Sequence, residues 1–138
     1  MNNRGFSLIE LIFSLAVMAL LMSMVIPQFG KIRDKALETS VKAVALSLQT
    51  SLETYSGDYQ QYPDSSLTAA ELSQQLMGEG YMSDVPQNPF TAKGYTASDR
   101  GGQIVYESTS SGTGYVLTAY KRDGVTVLGR WTGGTSEG

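Results

Sequence analysis

The chain of 138 residues contains no cysteine and no histidine. It therefore has no thiol nucleophile, disulfide, imidazole base or histidine metal ligand, and it cannot form a zinc–thiolate site. The chain has ten Lys and Arg residues and thirteen Asp and Glu residues, so its formal net charge is −3. Without a basic tract, no nucleic-acid partner is expected. These absences leave a binding, structural or carboxylate-based role, and an apolar fraction of 41% suffices for one folded domain.

One long apolar run dominates the amino-terminal quarter of the chain. It extends from Phe6 to Ile26, with Glu10 as its single charge and with neither glycine nor proline. A helix of this length spans roughly 31 Å, about the thickness of a bilayer's hydrocarbon core. We therefore predict a membrane-spanning helix over residues 6–27. A cleaved secretory signal fits less well, because the run is longer than such signals and residues 25–28 lack the small residues of a cleavage site.

The helical pattern continues beyond Pro27 with a different distribution of polarity. Apolar residues recur from Phe29 to Tyr55 at gaps of mostly three or four, with charged and polar residues between them. This spacing predicts an amphipathic helix over residues 28–56 with one buried stripe. Joined to the apolar run, it makes one rod of about 75 Å, in which Pro27 is the expected site of a helix bend.

Residues 57–138 are rich in glycine, serine and threonine and are predicted to form a globular head. Thr68 and Glu71 make a capping box that starts a short helix over residues 69–77. Strand-like runs at 103–108, 115–121 and 125–131 predict a three-stranded antiparallel sheet, with Asp123 and Gly124 as a short hairpin turn. Because so small a sheet needs a helix across one face, the predicted fold class is α+β, with the long helix packed on the sheet. The last residues, 132–138, are expected to fray.

Glu10 is the residue of the apolar run that most requires a partner. An ionised carboxylate at the centre of a bilayer costs about 2.5–3.5 kcal/mol on insertion scales. Glu10 lies near one end of the run, so one interpretation is an acid tolerated at the headgroup interface. The other interpretation is a cationic partner. Such a partner must come from another chain or from a newly made amino terminus, because nothing else in the run is charged.

The heptapeptide RGFSLIE, from Arg4 to Glu10, resembles the class III signal of type IV pilins and pseudopilins. The resemblance implies that a prepilin peptidase cuts between Gly5 and Phe6, which makes residues 1–5 a leader, and that the new amino-terminal Phe6 is N-methylated. Pro27 stands where pilins commonly carry a helix-bending proline. Glu10 of one subunit would neutralise the amine of Phe6 in its neighbour, which would favour assembly and help to set the stagger between subunits.

The same resemblance implies a membrane-anchored structural subunit that polymerises into a type IV pilus-like filament. Segments at 62–63, 80–90 and 115–124 resemble, more loosely, the major pseudopilin of type II secretion. A pilin of a surface pilus, for adhesion or motility, is the alternative. A non-polymerising membrane-anchored adhesin or binding module is the alternative of another class. Catalysis is not expected, since the carboxylates of the head are scattered over turn and cap positions.

The implied partners are further copies of the chain, the prepilin peptidase, an inner-membrane assembly platform and minor pilins or pseudopilins. The implied location is the bacterial inner membrane before assembly, crossed once, with the amino terminus cytoplasmic and the head periplasmic. Charge counting alone leaves the orientation open, because Arg4 precedes the apolar run whereas Lys31, Arg33 and Lys35 follow it.

A calcium ion is the one cofactor that the resemblance suggests, since this family often binds calcium in a carboxy-terminal loop. Asp123 lies in the corresponding stretch, and the next carboxylate is Glu137. Calcium takes six to eight oxygen ligands, whereas a single Asp in a hairpin is more simply a turn former. Asp123 is therefore a candidate metal ligand and, on the simpler interpretation, a turn residue.

Overall fold

The computed structural model describes residues 5–109 and 111–134. The chain separates into two compact units, residues 1–35 and residues 36–138. One helix, α1, runs from Leu8 to Tyr59 and has Pro27 in its interior. The predicted long helix is confirmed, although Gly57 does not end it, since an exposed glycine costs only about 1 kcal/mol in a helix. The bend at Pro27 stays a prediction.

The apolar run of the first unit is exposed around its whole circumference. Every described residue from Gly5 to Arg33 is exposed, and this part of α1 is long and apolar enough to cross a membrane. Two serine hydroxyls in the run bond within the helix: Ser14 donates to the Glu10 carbonyl at 2.9 Å and Ser23 to the Leu20 carbonyl at 2.7 Å. These two hydroxyls thus find partners without water, as a helix in lipid requires.

The second unit contains a four-stranded antiparallel sheet, where three strands were predicted. The additional strand, β1 (Ser66–Thr68), lies at the sheet edge and pairs with β4, with Leu67 opposite Tyr106. Three residues are too few to show an alternating pattern, so the sequence could not indicate this strand. The sheet order is β1-β4-β5-β6, where the other strands are β4 (Ile104–Thr109), β5 (Gly114–Tyr120) and β6 (Val127–Gly134).

Two smaller elements complete the head. Helix α2 (Ala69–Gly78) has the predicted capping box: the Thr68 side chain accepts from the Glu71 N–H, and the Glu71 carboxylate accepts from the Thr68 N–H at 2.8 Å. These bonds to Thr68 lower the pKa of the Glu71 carboxyl. A two-stranded ribbon is formed by β2 (Gln87–Asn88) and β3 (Lys93–Gly94).

The connection between β5 and β6 is longer than the predicted two-residue turn. Strand β6 begins at Val127, and a register shift lies between Ala119 and Tyr120. The Asp123 carboxylate accepts hydrogen bonds from the N–H groups of Val125 and Thr126, which keeps both residues in the turn. The predicted fraying from residue 132 is wrong as far as residue 134, because β6 extends to Gly134; residues 135–138 lie outside the described part of the chain.

The core of the head lies between α1 and the sheet, as predicted. The buried stripe of α1 begins later than expected, since Phe29 and Ile32 are exposed. Trp131, on strand β6, packs against this core, and its indole lies over Gly129. A Cβ on residue 129 would come within 2.8 Å of the indole Cη2. Fully buried aliphatic side chains come from α1, α2 and the sheet: Val41, Ala45, Leu48, Leu52, Leu72, Leu76, Ile104, Leu117 and Ala119.

Candidate assembly site at the amino terminus

The predicted cleavage position lies just outside α1. Residues Gly5, Phe6 and Ser7 precede the helix, and the Ser7 carbonyl accepts from the N–H groups of Glu10 and Leu11 to close the first turn. Phe6 is 81% exposed. A Cβ placed on Gly5 would meet no atom within 4 Å, so the fold itself does not require glycine there. The bond between Gly5 and Phe6 is accessible, and the described structure has room for a larger residue at position 5.

Glu10 is the acidic residue of the first turn of α1. Its side chain is exposed and makes no ion pair with any residue in the ranges 5–109 and 111–134. The partial positive charge of a helix amino terminus favours a carboxylate in this position by a few tenths of a kcal/mol up to about 1 kcal/mol. That contribution is smaller than the cost of an ion in lipid. Within the described residues Glu10 therefore has no counter-ion.

Cleavage between Gly5 and Phe6 would place an amine about one helical turn from Glu10. Each chain would then offer one cation and one anion at the same end of an apolar helix. Pairing the amine of one copy with the Glu10 of the next uses two different surfaces. Such head-to-tail contacts produce an open helical polymer unless the rotation closes a ring. The arrangement is therefore suited to filament growth.

Asp123, the candidate calcium ligand, has hydrogen-bond partners within its own turn. Its carboxylate accepts from the Thr126 hydroxyl and from the N–H groups of Val125 and Thr126 at 3.0 and 2.9 Å. These three bonds lower the pKa of the Asp123 carboxyl to about 2. No group of three or more acidic side chains that could hold a metal ion occurs among the residues the structure describes. Calcium binding stays a prediction, and the structure shows Asp123 as a turn former.

Replacing Thr126 with valine is expected to raise the pKa of the Asp123 carboxyl from about 2 towards its ordinary value of 3.8. The hydroxyl of Thr126 is the largest cause of the lowered pKa, and valine cannot donate. Folding lowers this pKa, so the ionised carboxylate stabilises the folded turn. This stabilisation is present above pH 3.8 and is lost as the pH falls through about 2. An NMR titration of the carboxyl carbon measures this shift. Thr54→Val, distant in the helix, should leave the titration unchanged.

Asn88 organises the long connection between α2 and β4, and sequence reasoning missed it. Its side chain is fully buried. The amide nitrogen donates to the Asp99 carboxylate at 3.1 Å and to the Gly101 carbonyl at 2.9 Å, and the amide oxygen accepts from the Phe90 N–H at 3.0 Å. Two flanking prolines indicate only a loop, so nothing in the sequence pattern distinguished a buried asparagine from an exposed one.

A carboxylate shared by two tyrosines was also missed. Tyr62 and Tyr115 donate to the two oxygens of Glu53 at 2.8 and 2.9 Å. Burial raises the pKa of Tyr115, and the hydrogen bond to Glu53 raises it further. Gly133 is required beside this cluster, because a Cβ there would come within 2.3 Å of Tyr115 Cε1. The predicted packing of tyrosines between helix and sheet is thus seen in detail, with Glu53 as an unforeseen acceptor.

Comparison with known proteins agrees with this geometry. Residues 1–26 match the family described as the prokaryotic N-terminal methylation motif. The exposed apolar helix behind that motif, Glu10 and the α+β head support a type IV pilin-like subunit, the class that includes pilins and pseudopilins. It is similar to type II secretion system core protein G of Klebsiella michiganensis, with 26% identity over 98 residues that cover 64% of this chain and 69% of that protein. No solved structure matches the chain significantly.

Proposed function

We propose that this chain is the major pseudopilin of a type II secretion-like system and polymerises into a pilus-like filament. The observation that carries the proposal is Glu10, an exposed carboxylate without a partner among the described residues, near the start of an apolar run of α1 that has no other charge. In a filament core the apolar faces of neighbouring helices cover one another. Glu10 then meets the amine of Phe6 from the adjacent subunit, so two ions that are costly alone neutralise each other.

Two observations favour a secretion pseudopilin over a pilin of a surface pilus. The relative with 26% identity is a type II secretion core protein. Many major type IV pilins close a carboxy-terminal loop with a cysteine pair, and this chain has no cysteine. The role is structural rather than catalytic, which agrees with the class to which the amino terminus assigns the chain.

The proposed partners follow from the processing that the resemblance of residues 4–10 to prepilin signals implies. We propose that a prepilin peptidase removes residues 1–5 at the inner membrane, with the amino terminus cytoplasmic and the head periplasmic. Copies of the mature chain would then add to the filament with an assembly platform and minor pseudopilins. We infer this orientation from the peptidase signal. The cations that follow the apolar run would by themselves favour the opposite orientation.

The mass of the chain isolated from cells tests this function. The mature protein is expected to lack residues 1–5 and to carry one additional methyl group on Phe6. Gly5→Val should keep the leader, although the fold has room for the larger side chain. Recovery of an unprocessed parent chain that stays dispersed in the membrane would instead support the membrane-anchored adhesin.

A further inference from the structure

Three cationic side chains lie directly beyond the apolar run of α1. Lys31, Arg33 and Lys35 are exposed. Lys31 and Arg33 make no ion pair with any residue in the described part of the chain. No charged residue lies between Glu10 and Lys31. Together with Asp34, which lies between Arg33 and Lys35, the three cations form the first charged segment after the apolar run, and its net charge is positive.

Helix geometry places these cations on different sides of α1. Lys31 and Lys35 are about 40° apart around the helix axis, whereas Arg33 is about 200° from Lys31. One protein surface covers one side of a helix, so a single protein partner could not contact all three. Lipid headgroups surround a membrane helix on every side. The distribution of charge thus favours lipid over a protein partner.

The depth of the cations also fits the headgroup layer. Lys31 follows Ile26, the last residue of the apolar run, by about 7.5 Å along the helix. The headgroup layer on each side of a bilayer is about 5–8 Å thick. Long Lys and Arg side chains extend several ångströms along a helix towards the polar groups that they bind. Lys31 is therefore within reach of phosphates at the membrane surface, and Arg33 and Lys35, about 3 and 6 Å further along the helix, can extend back towards them.

We propose that Lys31, Arg33 and Lys35 form a cationic collar that binds the phosphates of anionic lipids and holds the unassembled subunit at a fixed depth. The collar has the opposite charge to the headgroups, and it continues directly from the membrane-spanning part of α1. Its function requires only the membrane span, so it does not depend on the proposed filament. A subunit that leaves the bilayer for a polymer must release these lipids.

The preference of the full chain for anionic lipid tests the collar. The chain is reconstituted in vesicles of equal amounts of phosphatidylcholine and phosphatidylglycerol, and spin-labelled probes of each lipid report how much lipid is immobilised by the protein. We expect the phosphatidylglycerol probe to be preferred at least about fivefold, the effect of one cation near an anionic surface. The triple variant Lys31→Gln, Arg33→Gln, Lys35→Gln should lose this preference.

A matched variant separates the collar from net charge. Lys42→Gln, Lys93→Gln, Arg130→Gln removes the same charge from exposed positions of the other unit and should keep the preference. Glutamine is a good helix former, so circular dichroism should show unchanged helix content in the collar variant. An unchanged preference in the collar variant, or an equal loss in both variants, would overturn the proposal. The lipid preference is measured without filament formation, so the result of this experiment does not depend on the proposed function.

Discussion

Replacing Glu10 with valine is expected to abolish filament assembly while leaving membrane insertion intact. Valine removes the only charge in the apolar run, so insertion becomes no less favourable. In the proposed filament, however, the amine of Phe6 would be left in the core without a counter-ion. Breaking one side of a buried ion pair costs about 3–5 kcal/mol, more than a hundredfold in equilibrium constant for each added subunit.

Assembly is measured as the amount of chain recovered in sheared, sedimented filaments, with the membrane fraction as the measure of insertion. Asp84→Val is a matched control, because it also replaces an exposed carboxylate with valine, here in the head, and should assemble like the parent. If Glu10→Val yields as much filament as the parent, the account of Glu10 as an assembly residue is wrong.

Replacing Asn88 with leucine is expected to lower the free energy of unfolding of the head by about 2–5 kcal/mol. Leucine fills a similar volume, so the effect does not come from a cavity. It comes from the Gly101 carbonyl and the Phe90 N–H, which lose their partner, and from the Asp99 carboxylate, which loses a donor. Each interior polar group without a partner costs about 1–3 kcal/mol.

Thermal unfolding of the full chain in detergent micelles, followed by near-ultraviolet circular dichroism of the clustered tyrosines, measures this change. The neighbouring Gln87→Leu is the control, since Gln87 is exposed and should change stability by less than about 0.5 kcal/mol. Equal unfolding temperatures for the two variants would contradict the role assigned to Asn88.

The parts of the fold that were predicted correctly are those encoded in local spacing. The periodicity of α1, the capping box of α2 and the strand-like runs of β4 and β5 each depend on residues a few positions apart. Strand β1 was missed because its three residues acquire their structure from pairing with β4, about forty residues further along the chain. The start of β6 was misplaced because the Asp123 side chain, rather than strand propensity, fixes Val125 and Thr126.

The same distinction applies to the sites. Glu10 was found because a charge in an apolar run is visible without any structure, and the roles of Gly5 and Phe6 came from resemblance to prepilin signals. Glu53 and Asn88 were missed because their importance arises from contacts made by folding. Glu53 and Tyr115, for example, are 62 positions apart in the chain. No periodicity links residues at such a separation.

The position of Trp131 over Gly129 has a practical consequence. Trp131 is the sole tryptophan of the chain and lies in the strand at one edge of the sheet, half-buried against the core. Its intrinsic fluorescence therefore reports on the folding of one defined region, without an attached dye. The sequence has no cysteine, which is a second advantage, because a single engineered cysteine can be labelled with an energy-acceptor dye at any chosen position. Energy transfer from this indole can then follow subunits joining one another in real time.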